Sequence, residues 1–288
     1  MSLLNKISPV LLSFLSDKAY SVVQYVYKQR RFPDLKNPRT FNEKIQWLKL
    51  NCRDPRLTSL VDKYEVRRYV ESKVGAKHLI PLLGVYENPS EIEFHKLPAR
   101  FVLKATHGSG WNILCRDQAQ LDVPAARITM TKWQATNFYR VGREWAYLAV
   151  PPRILCEEMI TDAHDNPPPD YKFFCFHGKP CFIQVDLDRF SGHRRNMYDS
   201  EWQLLPLEFE YPSEPNQVPP PANLSEMLQI AARLSEDFPF VRVDLYSVLG
   251  KVYFGELTFY PEKGVGRFRP AAYDRVVGDC LDLSKVLR

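Results

Sequence analysis

The spacing of hydrophobic residues in the first third of the chain is typical of helices. Thr40 is followed three residues later by Glu43, a capping-box pattern that predicts a helix over residues 44–50. A second helix is predicted over residues 58–73, ending at Gly75. The early part of the chain is therefore expected to be helical.

The rest of the chain alternates short apolar runs with turn signals, which predicts β-strands. The predicted strands cover residues 101–104, 112–115, 153–157, 171–176, 181–185, 240–246 and 252–259. Gly178 and Gly250 each fall between two neighbouring runs, so each pair is predicted to form a hairpin. Two helices interrupt the strands, one at residues 125–140 and one after the capping-box pattern of Asn223 and Glu226. Helices first and hairpins later predict an α+β fold, not a doubly wound parallel sheet.

The last predicted hairpin places two carboxylates opposite each other. If its turn centres on Gly250, Asp244 lies across from Glu256 and Arg242 lies across from Thr258. Facing carboxylates repel each other, so their charge has to be neutralised. A hard divalent cation such as Mg²⁺, bound by carboxylate oxygens, would do this. From the residues alone two alternatives stay open, since Arg242 or the solvent would also offset the repulsion.

A lysine and a glycine-containing loop end the strand predicted at residues 101–104. Lys104 is the last residue of that strand, and residues 107–110 form the loop. Glycines allow backbone N–H groups to approach phosphate oxygens, and the lysine supplies a positive charge. The loop is not a Walker A motif, because no Gly-Lys-Ser/Thr opens a helix. By itself it fits a phosphate site or an ordinary hairpin turn beside a surface lysine.

Composition narrows the class of ligand. The chain has 288 residues and a net charge of +5, which suits anionic ligands such as nucleotides or acidic sugars. The sequence has no long basic run, so a nucleic-acid partner is not expected. Its histidines and cysteines also lack the spacing of zinc sites.

The N-terminal residues 1–27 are apolar, but charged residues and a proline interrupt them. They contain no uninterrupted apolar span of about 18 residues and no signal-peptide pattern. We expect amphipathic helices that pack on the body of a cytoplasmic protein. The alternative is peripheral contact with a biosynthetic complex or with the inner face of the membrane.

In this order, the motifs resemble the ATP-grasp superfamily, whose fold clamps ATP between two α+β subdomains. The narrower similarity is to the TupA-like branch, named for teichuronopeptide synthesis. Four sequence motifs show this similarity: NPRTFNEK at residues 37–44, RNMYD at 195–199, FVRVDLY at 240–246 and YFGELTFYP at 253–261. The similarity extends over residues 33–278 and implies an ATP-grasp fold with a helical N-terminal segment.

The resemblance also implies a nucleotide site that binds ATP with Mg²⁺. Two lysines and the glycine loop would contact the phosphates, and a strand end would hold adenine and ribose. The implied nucleotide-binding residues are Lys63, Lys104, His107, Gly108, Ser109, Gly110, Glu157, Glu158, Met159, Ile160 and Lys172.

The family pattern assigns the metal to Asp244 and Glu256, with Thr258 where many members have an asparagine. Lys104 and Arg242 are the implied catalytic residues, because both would lie beside the transferred phosphoryl group. For Arg242 a purely structural pairing with Asp244 is the alternative.

A basic segment follows the first predicted hairpin and is expected to bind the acidic substrate. Its cationic residues are Arg189, His193, Arg194 and Arg195. Arginine side chains suit carboxylates, so the expected ligand is a uronic acid or an anionic glycan. A solvated charged loop is the alternative.

Four regions are predicted along the chain. Residues 1–32 form a helical N-terminal segment, and residues 33–100 form a helical region before the grasp. Residues 101–160 form the small subdomain with the glycine loop, and residues 161–288 form the large subdomain with the metal site.

The predicted function is that of a carboxylate–amine ligase that uses ATP and Mg²⁺ and acts through an acyl phosphate. It would join an amino acid or peptide to a bacterial surface polysaccharide or to its precursor. The first alternative is an ATP-dependent kinase, because the same residues would also serve transfer to a hydroxyl. A glycosyltransferase, for which Asp186 and Asp188 supply an Asp-x-Asp pattern, and a binding module without activity are weaker alternatives.

Overall fold

The computed structural model describes residues 14–187 and 192–286. Its helices are α1 (Asp17–Gln29), α2 (Phe41–Asn51), α3 (Arg56–Val61), α4 (Val66–Val74), α5 (Val123–Gln134), α6 (Tyr139–Gly142), α7 (Leu224–Ser235) and α8 (Tyr273–Asp279). Its strands are β1 (Leu82–Tyr86), β2 (Phe101–Ala105), β3 (Asn112–Cys115), β4 (Ile154–Glu158), β5 (Asp170–Phe176), β6 (Lys179–Leu187), β7 (Arg194–Asp199), β8 (Glu208–Phe209), β9 (Phe240–Val248), β10 (Lys251–Thr258) and β11 (Phe268–Arg269).

The strands form two main antiparallel sheets. One has four strands in the order β1-β4-β2-β3, and the other has five in the order β10-β9-β5-β6-β7. Strands β8 and β11 pair separately. The predicted α+β class is confirmed. Because β1 precedes residue 101, the first sheet extends into the predicted pre-grasp region, and the division into four regions stays a prediction.

Each sheet has its own apolar core. The smaller core packs Phe101, Leu103 and Cys156 of the four-stranded sheet against Met130 of α5. The larger core covers the five-stranded sheet with helices that include α2, α4 and α7. Within the described residues, no helix is long and apolar enough to cross a lipid bilayer.

Helix α2 begins at the predicted capping box. Thr40 accepts a hydrogen bond from the Glu43 backbone, and Glu43 accepts one from the Thr40 backbone. The helix also bonds to backbone carbonyls late in the chain. Its Gln46 Nε2 donates to the carbonyls of Lys263 and Gly264, at 2.9 and 3.0 Å.

Three more side chains of α2 make similar bonds. Asn42 Nδ2 donates to a carbonyl at residue 266, 2.7 Å away. Lys44 Nζ donates to carbonyls at residues 278 and 281. The buried Lys49 Nζ donates to the carbonyls of Gly142 and Lys263, at 3.1 and 3.2 Å. Helix α2 therefore fixes the loop that follows β10 and the segment around α8.

Two predicted helices are each split in two, so both predictions were wrong in extent. The helix predicted over residues 58–73 is α3 and α4, with a break at residues 62–65. Asp62 causes this break, because its carboxylate accepts bonds from the backbones of Tyr64 and Glu65. The helix predicted over residues 125–140 is α5 and α6, separated at residues 135–138.

The predicted capping box at Asn223 is also wrong. Helix α7 starts after Asn223, but the side chain of Asn223 makes no capping bond. Its Oδ1 accepts a hydrogen bond from Ser247 of β9 instead, at 2.7 Å. A tertiary contact therefore replaces the local one, while an apolar face of α7 with Met227, Ile230 and Leu234 is buried.

At the N-terminus, α1 begins at Asp17 after an N-cap at Ser16. Helix in this region agrees with the prediction for residues 1–32. Residues 1–13, for which membrane or partner contact was considered, lie outside the described residues.

Candidate active site

A cleft of about 390 Å³ has walls from both main sheets and from the loops beside them. Most of its charged lining comes from β2, β5, β6, β9, β10 and the loop after β10. The ionisable residues of the lining include Lys63, Lys104, Glu144, Asp170, Lys172, Asp186, His193, Arg195, Arg242, Asp244, Glu256, Glu262 and Lys263. Such a concentration of opposite charges in one concave site suits a charged ligand.

The β9–β10 hairpin has the predicted register. Glu256 pairs with Asp244, and Thr258 pairs with Arg242. The turn at residues 249 and 250 alone would place Asp244 opposite Gly255. A bulge between Phe254 and Glu256 shifts the register by one residue. The two carboxylates face each other because of this bulge.

Arg242 lies at the centre of the predicted metal ligands. Its Nε and Nη2 atoms donate to Asp244, both at 2.7 Å. The same Nη2 atom is 3.1 Å from Thr258 Oγ1 and 3.5 Å from Glu256 Oε1. The oxygens of Asp244, Glu256 and Thr258, the three expected ligands of a cation, therefore point to one position. The guanidinium group of Arg242 lies at that position.

The lysines and Arg242 affect the two carboxyl groups differently. Burial would raise the pKa of Glu256, but Lys63, Arg242 and Lys172 outweigh it and lower that pKa to about 2. For Asp244, burial raises the pKa, although Arg242 and Lys172 oppose the shift. Glu256 is thus the more strongly ionised of the pair.

The donors of this cluster fit a magnesium ion in kind. Two carboxylates and a hydroxyl are hard oxygen ligands, and a small number of protein ligands leaves room for phosphates and water. Within the described part of the chain, no group of three or more His, Cys, Asp or Glu residues is placed to hold a metal. A metal ion at Asp244 and Glu256 would therefore need further oxygen ligands, from Thr258 and from the bound phosphates or water.

Lys63 reaches the cleft because the helix breaks just before it. The Asp62 carboxylate accepts a bond from Arg153, at 2.7 Å, which holds the break in place. Lys63 Nζ donates to the carbonyl of Gly108 and lies 3.6 Å from Glu256 Oε2. One lysine therefore links the glycine loop to the acidic pair.

Two other predicted lysines line the cleft from different sheets. Lys104 of β2 forms an ion pair with Glu157, at 2.7 Å. The buried Lys172 of β5 lies 3.1 Å from Asp244 and also pairs with Asp170. Burial lowers the pKa of Lys172, but Asp170 and Asp244 together raise it above its ordinary value.

The glycine loop joins β2 to β3, and only part of it faces the cleft. Ser109 and Gly110 are in the lining, whereas Gly108 contributes the carbonyl that Lys63 binds. His107 is buried, and its Nε2 contacts the carbonyl of Trp133 at 2.8 Å. Burial lowers the pKa of His107, and its ring lies outside the lining of the cleft. We therefore infer that His107 supports the glycine loop through its contact with Trp133.

The predicted adenine-binding residues lie at the end of β4. Glu157 is buried and pairs with Arg67 as well as with Lys104. The backbone N–H of Glu158 donates to a carbonyl at residue 81. Neither these two residues nor Met159 and Ile160 line the cleft, and their contact with adenine stays a prediction.

The basic segment divides between the cleft and the surface. Arg195 is buried, bonds to Asp186 at 2.6 Å and lies 3.3 Å from Glu262. His193 lines the cleft beside it, whereas Arg194 is exposed and faces away. Arg189 lies outside the described residues. Of these residues, His193 and Arg195 line the cleft, and the binding of an acid stays a prediction.

Some residues of the lining carry no sequence signal. Glu144, Tyr147 and Lys263 lie outside the α-helices and strands, where no periodicity or motif marks them. Asp170 is the first residue of β5, so its sequence position indicates only the polar end of a strand. These residues join the site through the fold alone.

Comparison with known families gives one match. The sequence model of a family described as TupA-like ATPgrasp matches residues 43–282. No curated protein matches the sequence.

Several solved structures are similar in fold. The D-alanine–D-alanine ligase of Bacillus anthracis complexed with ATP has 14% identity and a TM-score of 0.44, over 78% of this chain and 65% of that one. The ATP-grasp ligase PsnB complexed with a phosphomimetic variant of its minimal precursor, Mg and ADP has 12% identity and a TM-score of 0.44. That similarity covers 85% of this chain and 65% of that one. The chain thus spans less than two thirds of the length of either protein.

Proposed function

The chain belongs to the TupA-like ATP-grasp family, and from that premise we propose that it is a ligase that joins a carboxylate to an amine. The predicted family and the ATP-grasp fold are confirmed by the match over residues 43–282. ATP with Mg²⁺ is the cofactor pair of ATP-grasp enzymes. The identity of the reaction and of its substrates is our proposal.

The observation that carries the proposal is the meeting of cations and acids in one cleft. Lys63, Lys104 and Arg242 come from three separate parts of the chain and all line it. Asp244 and Glu256 face each other beside them. Cations offset the charge of a polyphosphate, and the acidic pair suits its metal ion. Asp244, Glu256 and Thr258 would hold that ion, and Lys63, Lys104 and Lys172 would bind phosphate oxygens.

Bound Mg-ATP supplies the phosphoryl group that activates a carboxylate. Around it, the residues of the chain have separate tasks. Lys104 and Arg242 stabilise the negative charge that develops during transfer. The backbone N–H groups of Ser109 and Gly110 would bind phosphate oxygens from the glycine loop. An amine then displaces phosphate from the acyl phosphate and forms the amide.

For the acid we propose a uronic acid or an acidic glycan of a bacterial surface polysaccharide. His193 and Arg195 support this choice, because both line the same cleft as the proposed metal ligands. Arg195 is already paired with Asp186, so it would position the ligand while its own charge stays compensated. A cytoplasmic location at the inner face of the membrane belongs to the same proposal.

The first experiment is thermal unfolding of the full chain with Mg-ATP, for the wild type and for Glu256→Gln. A ligand at about 100 times its Kd adds roughly 2.7 kcal/mol to the free energy of unfolding. We expect Mg-ATP to stabilise the wild type and the variant Glu201→Gln, an exposed site, but not Glu256→Gln. Equal stabilisation of all three proteins would contradict the proposed metal site.

The second experiment separates a ligase from a kinase. Hydroxylamine traps an acyl phosphate as a hydroxamate, and a sugar phosphate gives none. We expect hydroxamate from ATP and a uronic acid such as glucuronate or galacturonate. ADP release without hydroxamate would favour the kinase, and stabilisation by UDP-sugars but not by ATP would favour the glycosyltransferase.

A further inference from the structure

Glu144 is a buried carboxylate that faces the cleft and has no bonding partner in the described part of the chain. It lies between α6 and β4, is 8% exposed and belongs to the lining. Among the described residues, none donates a hydrogen bond or forms an ion pair with its carboxylate. Buried charges in proteins are normally paired, so an unpaired one in a cleft indicates a place for a cationic ligand.

The nearest buried cation is already used. Lys49 Nζ donates to the carbonyls of Gly142 and Lys263, at 3.1 and 3.2 Å. Its charge acts on Glu144 only through space. Lys49 therefore shapes the wall behind Glu144 and leaves the carboxylate free.

Lys263 lies beside Glu144 in the same wall. A Cβ atom at Gly142 would be 2.9 Å from Glu144 Oε1 and 3.1 Å from Lys263 Cγ, so both side chains lie against that glycine. Lys263 and Glu262 both have left-handed backbones, with φ of 60° and 47°. Such a pair of non-glycine residues is strained, and strain of this kind occurs at ligand sites. Within the described residues, Lys263 Nζ also has no ion pair.

From this juxtaposition we propose that Glu144 and Lys263 bind the amine substrate, and that this substrate is an amino acid with a free carboxylate. Its ammonium group contacts Glu144, and its carboxylate contacts Lys263. The inference rests on the proposed ligase function, which it extends by naming the amine and its site. The site is in the same cleft as Glu256, so the bound amine is close to the activated acid.

The chemical step assigns a proton to Glu144. The carboxylate of Glu144 takes one proton from the ammonium group and leaves a neutral amine. The nitrogen then forms the bond to the acyl carbon while the bond from that carbon to the phosphate oxygen breaks. The second proton leaves the nitrogen with the departing phosphate, which becomes hydrogen phosphate. Solvent later removes the proton from Glu144.

The environment of Glu144 suits this exchange near neutral pH. Burial raises its pKa to about 7, although Lys49 and Lys263 lower it. That pKa of about 7 already includes a smaller rise caused by Glu256 and a smaller reduction caused by Arg242. Burial and, to a smaller extent, the charge of Glu144 raise the pKa of the Tyr147 and Tyr260 phenols.

The test measures binding without turnover. The full chain is saturated with Mg²⁺ and a non-hydrolysable ATP analogue, and the common L-amino acids, D-alanine and their amides are added one at a time. We expect one or more of the free amino acids to raise the Tm of the wild type and of Glu201→Gln, with less effect from the amides. Glu144→Gln should lose this response and keep the response to the nucleotide. Lys263→Met should lose the preference for the acid over the amide.

The results separate the two proposals. If the nucleotide analogue itself does not stabilise the wild type, the proposed function fails. If it does, but no amino acid adds to the effect, or Glu144→Gln responds as the wild type does, the amine site is wrong. Should Glu144→Gln not fold, Lys263→Met still tests recognition of the carboxylate.

A kinetic measurement tests the proton transfer. Hydroxylamine is neutral at pH 7 and needs no base. We therefore expect Glu144→Gln to keep hydroxamate formation and to lose amide formation with the amino acid by about 100-fold or more. An equal loss with both nucleophiles would show that Glu144 is not the base.

Discussion

At the scale of single residues, Asp62 decides how the early part of the chain enters the site. It is 1% exposed and accepts bonds from two backbone N–H groups and from Arg153. The sequence around it is compatible with a continuous helix, but in the fold its carboxylate caps the local backbone and is held there by Arg153, far along the chain. Lys63 reaches the cleft as a result.

We predict that Asp62→Asn lowers the free energy of unfolding by about 3 kcal/mol, because Arg153 loses its buried charged partner and keeps only the more exposed Glu65, at 3.0 Å. Denaturant unfolding measures the change. The matched control is Asp54→Asn, which removes the exposed ion pair with Arg56 and should cost less than about 1 kcal/mol. Similar losses in the two variants would show that burial of the pair is unimportant.

A second residue-scale prediction concerns pH and Glu144. Its pKa in the folded protein, about 7, is above the ordinary value of 4.5. The protonated form is therefore favoured in the folded state, so this group's contribution to stability is present below pH 4.5 and is lost as the pH rises through 7. Glu144→Gln should gain stability relative to the wild type across that interval and keep a constant advantage at higher pH.

Denaturant unfolding at a series of pH values checks this prediction, with Glu201→Gln as the control. Parallel curves for the wild type and Glu144→Gln would contradict it. A confirmed difference would also show that the wild type accepts a loss of stability at the position where the amine is proposed to bind.

At the scale of elements, the β9–β10 hairpin shows how much of a strand register the alternation of apolar residues can predict. Alternation of apolar residues correctly predicted that Asp244 faces Glu256. The assumed turn geometry did not include the bulge, which is the actual reason for that register. A glycine inside a strand often marks a bulge, so Gly255 was the sequence signal that the assumed turn geometry left out. In the helices the pattern predicted less. Helix propensity and apolar spacing predicted that helices are present, while hydrogen bonds within the fold set their ends.

The bulge gives a prediction at Gly255. A Cβ atom there would be 3.1 Å from the Asp244 carbonyl oxygen and 3.1 Å from the Tyr246 ring. Gly255→Ala should therefore cost about 1–3 kcal/mol and weaken the stabilisation by Mg-ATP, because it moves Glu256 relative to Asp244. Thermal and denaturant unfolding with and without Mg-ATP measure both effects.

Gly250→Ala in the turn is the matched control. Its left-handed backbone, with φ of 78°, makes alanine costly there by about 1–2 kcal/mol, but nothing lies within 4 Å of the added atom. It should lower stability and keep the full response to Mg-ATP. If both variants keep that response, the bulge has no part in the metal site.

At the scale of the whole molecule, the site was predictable where short motifs mark it. Three lysines, part of the glycine loop, Arg242 and the acidic pair reach one cleft. The remainder depends on where loops pack. Glu144 and Lys263 are neighbours only because Gly142 lets both side chains lie against it, and His107 points into the protein because of α5. No pattern along the chain encodes such long-range proximity.

The bonds between helix α2 and the late carbonyls also set an order in time. During translation α2 leaves the ribosome long before residues 263–281, whose carbonyls bind its polar side chains. Until then Asn42, Gln46 and Lys49 lack these partners, and the wall that carries Lys263 does not exist. The cleft therefore cannot be complete before these late residues have been synthesised.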